Sequence, residues 1–257
     1  MDILRDDLII PAWPELPAHI TAFSTTRRGG VSLGAYSDVA GQGGLNLGDH
    51  VGDQPHAVIE NRKRLSAHFS SDVIFLSQVH GIIVAEAELL QPGMQADAVI
   101  ASTKGQVCAV MTADCLPVLF CDQAGAVVAA AHAGWRGLAG GILERTVVAM
   151  RQKGAGDISA WLGPAIGPRA FEVGQEVVDT FTFKNDHAIH CFTEISHGPT
   201  GRKYVADIYA LARLELACSG VKQVAGGQWC TVEDAGHFYS YRRDGVTGRM
   251  GSFISIV

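Results

Sequence analysis

The chain has 257 residues, 47% of them apolar and 18% charged, with a formal net charge of −6. That length can bury a full core as a single domain spanning 1–257, and the acidic balance offers no polycationic surface for nucleic acid. No apolar run approaches about 18 residues, and the N-terminus is acidic where a signal peptide starts basic, so a cytoplasmic protein that does not engage a membrane is expected, as a monomer.

Ile20 to Thr26 reads as a strand. Beyond it, Gly30-Val31-Ser32-Leu33-Gly34 matches G-x-S-x-G, but a nucleophile elbow needs a helix straight after its serine, and a glycine-rich loop follows instead. A long irregular loop is the expectation for this segment, and Asn46 within it is a candidate because loops of that length in compact domains often carry function. Pro55 to Phe69 has a helical apolar stripe of Val58, Ile59, Leu65 and Phe69, with Pro55 suited to the first turn. By spacing alone Arg62 on this helix is a solvated charge.

Asp72 to Gln78 reads as a strand that delivers His80 beside Gly81, and Ile82 to Glu86 reads as another. Asp97 leads a short strand through Ile100. It either supports a ligand histidine or caps a turn. From Val107 to Gly137 run three apolar segments of strand length, the first two separated by Asp114-Cys115, with His132 closing the third. Cys115 and His132 lie one strand out and one strand back, so their side chains can meet. Singly each reads as a core residue; with His80 they form a three-donor set with one open tetrahedral position, the catalytic form of a zinc site. Such a site lowers the pKa of a bound water or polarises a substrate oxygen.

Gly137 to Lys153 reads as a helix whose start, near His132, can receive an anion with help from Arg136. Ile158 to Leu162 and Lys222 to Ala225 read as strands, and Gln175 to Phe181 and Asp207 to Cys218 as helices. His187-Ala188-Ile189-His190 lies in a polar stretch through Gly201 and reads as surface loop rather than a metal motif. The C-terminal segment mixes aromatics with Arg242, Arg243 and Arg249, a composition that packs arginines on rings and can clamp a base with a phosphate. The six cysteines are scattered without a C-x-x-C pair, which argues against a structural zinc knuckle or a disulfide framework.

The blocks FSTTRRGGVS, GGLNLGDHVGD, ENRKRL, SQVHG, TADCLPVLF, AAHAGWRG, GPAIGPRAFEVG and FYSYRRDGVTGR resemble the bacterial YfiH family across nearly the whole chain. Its members also go by the names polyphenol oxidase, laccase-domain protein and peptidoglycan editing factor. The resemblance implies an α+β fold, a layered α/β/β/α sandwich with mixed sheets, distantly similar to the catalytic domain of cytotoxic necrotizing factors. It implies His80, Cys115 and His132 as metal ligands and catalytic residues, with Asn46, Arg62, Gln78 and Arg242 as further family positions for substrate, beside Arg136 from the reading above.

The activity implied is that of a zinc purine nucleoside enzyme. It would cleave adenosine, inosine, guanosine and methylthioadenosine with phosphate, held by Arg62, Arg136 or Arg242, and would deaminate adenosine. The H-x-E and P-C-x-x-C signature of the usual zinc deaminases is absent, which implies separate machinery. Asp97 and Asp114 are guesses for a general acid. A blue-copper laccase needs several histidines in His-x-His pairs, which the chain lacks, although one copper in the His/Cys/His site is compatible with the donors. The alternatives are copper-dependent phenol oxidation and a Cys115/His132 hydrolase that edits peptidoglycan precursors without metal.

Overall fold

The computed structural model describes residues 3–198 and 201–257. In the N-terminal half the elements are β1 (Leu8–Ile9), β2 (Ile20–Thr25), α1 (Pro55–Ser66), β3 (Val84–Glu86), β4 (Ala98–Ala101), β5 (Val107–Thr112), β6 (Leu116–Asp122) and β7 (Val128–Ala133). There follow α2 (Trp135–Ala139), α3 (Ile142–Gln152), β8 (Ile158–Leu162), β9 (Glu172–Gly174) and α4 (Gln175–Lys184). The chain closes with β10 (Phe192–Gly198), β11 (Gly201–Ala206), α5 (Ile208–Cys218), β12 (Gln223–Gly226), α6 (Tyr241–Asp244) and β13 (Met250–Ile256).

Two sheets stack face to face between helical layers. The six-stranded sheet has the order β12-β8-β6-β7-β4-β3, with parallel pairs at both edges and antiparallel pairs in the middle. The four-stranded sheet, β1-β2-β13-β5, is antiparallel throughout. Alternation along each strand sorts the side chains into layers. Val118, Phe120, Ala129 and Ala131 face helices α3, α4 and α5, joining Leu143, Val147, Phe181 and Leu211. Their neighbours Leu119, Val128, Ala130 and Val99 face the other sheet and pack on Cys108, Val110 and Ile254. The far side of the four-stranded sheet carries Phe23, Ala109 and Phe253 against Leu65 of α1. Each fully buried Leu, Val or Phe in these layers contributes about 1.5–3 kcal/mol of transfer free energy. The layered α/β/β/α arrangement implied by the resemblance is the one observed.

The three apolar runs are strands, but they do not lie in one sheet: β5 belongs to the four-stranded sheet, while β6 and β7 form a hairpin in the six-stranded one. Ala113, Asp114 and Cys115 carry the chain across, with Asp114 at φ 87°. That backbone is held because Asp114 Oδ1 accepts the Thr231 hydroxyl at 2.6 Å and Oδ2 accepts the backbone N–H of Arg242 at 2.6 Å.

Several expectations are corrected. The helix expected over Gly137 to Lys153 is two helices, α2 and α3, because Gly141 takes φ 91° between them. The strand expected at Asp72 to Gln78 is extended chain with one isolated bridge, Ser77 to Gln95. There the Gln78 side chain takes the role of a strand neighbour, donating to the Met111 carbonyl and accepting its N–H, both at 2.7 Å. The polar stretch after Lys184 is a 3-10 turn, Asp186–Cys191, followed by the paired strands β10 and β11, of which β11 also pairs with β9 to complete a small third sheet. Residues 199–200 of that stretch lie outside the described residues. His187 and His190 are exposed. β13 is a central strand with every residue buried, and no expectation from the sequence covers it. No helix among the described residues is long and apolar enough to cross a membrane.

Candidate metal centre

Strand parity aims the site. Cys115 sits one residue before β6 and shares its face with Pro117 and Leu119, while His132 shares its face with Ala130 and Val128 on β7. Pro117 and His132 are register partners, so Cys115 and His132 emerge side by side from the sheet-facing side of the hairpin. His80 comes from elsewhere. It stands in the loop before β3, not at a strand end, with φ 60°.

Asp97 draws the three together. Fully buried, it accepts the Nδ1–H of His132 on Oδ1 at 2.8 Å, one step past the β4–β7 register. The same carboxylate accepts the backbone N–H groups of Val79 at 3.3 Å, His80 at 2.9 Å and Gly81 at 2.7 Å. Both roles considered for Asp97, histidine support and turn capping, are therefore filled by one carboxylate.

The candidate donor atoms of His80, Cys115 and His132 all lie within 4.8 Å of one another, the only such group of three among the described residues. His80 Nε2 is 3.6 Å from Cys115 Sγ, and the two imidazole centroids are 4.8 Å apart at 74°. His132 is buried, Cys115 half-buried and His80 exposed, so the centre opens on the His80 side. Burial raises the Cys115 thiol, yet the neighbouring His132 and His80 outweigh it and bring its pKa down to about 6. Burial likewise lowers His132, but the Cys115 thiolate and Asp97 lift it to about 9. Burial would raise Asp97, and the hydrogen bonds from His132 and the Gly81 N–H hold it below its ordinary value. One thiolate and two imidazoles, one imidazole oriented by a carboxylate, fit zinc or copper.

Gly134 belongs to the same construction. A Cβ there would stand 2.7 Å from His80 Cδ2 and 3.0 Å from Cys115 Sγ, so any side chain at this position would have to displace the His80 imidazole.

Two clefts flank the donors. One, of about 360 Å³, is lined by His50, Gln78, Met111, Tyr241 and Arg249 with all three donors. The other, of about 270 Å³, is lined by Trp135, Arg136, Phe171, Tyr241 and Arg242 with His80 and Cys115. Gln78, Arg136 and Arg242 thus come to the centre. Asn46 does not line either cleft: it is fully buried, donating to Gly48 and Asp53 and accepting the N–H groups of Gly48 and Arg249. Arg62 also lines neither, with Nε on the Leu47 carbonyl, Nη2 3.2 Å from Asp49 and its plane 4.3 Å over the Phe75 ring. The C-terminal arginines divide by role, since Arg243 is spent on the carbonyls of Thr231, Val232 and Phe238. Tyr241 and Arg249 belong to the C-terminal mixture of aromatics and arginines, which is their only signal in the sequence, while His50, in the glycine-rich loop, carries none.

Fold and centre together define a metal-associated enzyme built on a layered α/β scaffold. A family model described as multi-copper polyphenol oxidoreductase laccase matches residues 21–257. The chain belongs to this family, the YfiH family. It is 52% identical over 254 residues to the purine nucleoside phosphorylase YfiH of Shigella flexneri, covering 97% of this chain and 99% of that protein. A purine nucleoside phosphorylase of Pseudomonas aeruginosa is 48% identical over 246 residues, 96% of this chain and 97% of its own. The crystal structure of Neisseria meningitidis protein NMB0706 superposes with a TM-score of 0.89 at 48% identity, covering 97% of this chain and 99% of that one.

Proposed function

We propose that the chain is a zinc-dependent purine nucleoside enzyme of the cytoplasm. It cleaves adenosine, inosine, guanosine and methylthioadenosine with phosphate to the free base and ribose-1-phosphate, and it hydrolytically deaminates adenosine to inosine. The observation that carries this reading is the pair of clefts meeting at His80, Cys115 and Tyr241, because phosphorolysis needs a sugar carbon reached by a base from one side and by phosphate from another. The names of the Shigella and Pseudomonas relatives support the same chemistry.

His80, Cys115 and His132 would hold the zinc, which when bound would supply Lewis-acid polarisation where the clefts join. The protein's own contributions are positional and electrostatic. Asp97 holds the His132 imidazole with its Nδ1 protonated and leaves Nε2 as the donor. Arg136 and Arg242 bring positive charge to one cleft, and Arg249 brings it to the other.

A second reading, copper-dependent phenol oxidation, has more direct support in the family model's own description. The donors accept copper as well as zinc. A multicopper centre needs further ligands, and among the described residues there is one three-donor cluster.

The deciding experiment is mass-spectrometric product analysis of adenosine with zinc-loaded protein, with and without phosphate, alongside oxygen uptake by copper-loaded protein on a phenol. Adenine and ribose-1-phosphate formed only with phosphate, together with inosine, establish the purine reading. Oxygen uptake alone establishes the copper one. Should neither occur, activity on peptidoglycan precursors that survives chelation and is lost in Cys115→Ser identifies a thiol hydrolase.

A further inference from the structure

The two clefts share His80, Ala113, Cys115 and Tyr241, but their remaining walls differ chemically. In the larger, the Gln78 amide gives one N–H to the Met111 carbonyl and accepts the Met111 N–H, and Arg249 Nη1 donates to the carbonyls of Thr247 and Gly248. Leu76 and Met111 are its apolar residues beyond the shared Ala113, beside the polar His50, Thr112 and His132. It offers one arginine, already bound to main-chain carbonyls.

The smaller cleft holds two guanidinium groups. Arg136 lies over the Trp135 ring at 4.4 Å, and Arg242 stands 5.8 Å from the Phe171 centroid while donating Nη1 to the Glu172 carbonyl at 3.1 Å. Neither side chain has a carboxylate partner among the described residues. The acid in this cleft, Asp114, has both oxygens occupied, by Thr231 and by the Arg242 backbone N–H. In a chain of net charge −6, two guanidiniums left unpaired on one wall and steadied against aromatic faces make a site for a doubly charged oxyanion.

We infer that the Arg136/Arg242 cleft is the phosphate subsite and that the nucleoside lies in the larger cleft with C1′ at the shared junction. This rests on the phosphorolysis reading above. An oxygen of hydrogen phosphate forms the bond to C1′ while the bond from C1′ to the purine nitrogen breaks, its electron pair leaving with the base. The hydrogen phosphate proton ends on the base, so the products are neutral purine and ribose-1-phosphate. Arg62, the third arginine candidate from the sequence, is excluded by its commitments to Leu47, Asp49 and Phe75.

The test is steady-state kinetics of zinc-loaded Arg136→Ala, Arg242→Ala and the double variant with inosine and phosphate. Both side chains are exposed, so truncation leaves the core intact. Each single change should raise KM for phosphate about tenfold, as expected for one charge-assisted contact, and the double change about a hundredfold. KM for inosine should move less than about threefold, a split that a general loss of structure does not produce. Arg136→Lys should recover part of the loss, and Arg169→Ala, removing an exposed guanidinium paired with Glu233 elsewhere, should change neither constant. An unchanged phosphate KM in the double variant, or a rise confined to Arg249→Ala, overturns the assignment. If the wild-type chain turns over no nucleoside, the phosphorolysis reading fails separately, and calorimetric titration with inorganic phosphate decides the subsite. Binding that disappears in the double variant supports it; equal binding in both proteins, or none in either, overturns it.

Discussion

Asp97 binds the two halves of the centre through a single oxygen: Oδ1 accepts the backbone N–H of His80 at 2.9 Å and the Nδ1–H of His132 at 2.8 Å. One candidate donor histidine is held by its ring and the other by its main chain, so the strand-borne and loop-borne candidates are fastened to the same carboxylate. Asp97→Ala removes both restraints and leaves the left-handed backbone at His80 without its anchor. Zinc affinity, read by competition with a chromophoric chelator, should fall about 10- to 100-fold. Wild-type affinity in the variant would mean that the donors are preorganised without it.

Gly134 is the second prediction. Because a methyl group there would stand 2.7 Å from His80 Cδ2, Gly134→Ala should push the imidazole away from Cys115. Metal binding should be lost with the denaturation midpoint little changed, since the collision falls on a half-open site rather than on the core. A crystal structure of the variant with metal on all three donors would contradict this.

The pH behaviour of metal-free protein follows from the donor pair. Cys115 falls from an ordinary value of 9.0 to about 6, so its stabilising contribution is present above 9.0 and is lost as pH falls through about 6. His132 rises from 6.5 to about 9, so its contribution is present below 6.5 and is lost as pH rises through about 9. Each shift depends on the other's charge, and the thiolate–imidazolium pair is therefore complete only between about 6 and about 9. The ultraviolet absorbance of thiolate, compared with Cys115→Ala, should titrate at about 6. Titration at the ordinary value would show that the pair does not form. Zinc uptake at neutral pH should also release a proton from His132.

Gln78 gives a stability prediction. Its amide makes two hydrogen bonds of 2.7 Å to Met111 and so fastens the extended segment that leads to His80. Gln78→Leu leaves the Met111 N–H and C=O without those partners and should cost about 1–3 kcal/mol in urea denaturation. A cost near zero would mean that water replaces the amide.

Periodicity made β5, β6, β7 and the main helices legible, because alternation and helical stripes record which face each element buries. The spacing of Cys115 and His132 read correctly as one hairpin for the same reason. His80 was placed for the wrong reason: it is held by a carboxylate distant in sequence, not by a strand end. The extended segment before it has strand composition, but its pairing needs are met by the Gln78 side chain, which no local pattern records.

What the sequence by itself determined is the buried strands β4 to β8, though not β13, and the chemical identity of the three candidate donors, since both reside in residue type and short-range order. Only the tertiary structure decided that β5 and β6 part into different sheets at Asp114, and that Asp97 closes on both histidines. It also decided which arginines face the centre. Asn46 turns to the backbone of its own loop and Arg62 reaches from α1 to the same loop's Leu47 carbonyl, while Arg136, Arg242 and Arg249 line the clefts. The physical reason is that a polar side chain's partner is chosen by whatever the fold brings within about 3 Å of it, and those neighbours come from distant parts of the chain.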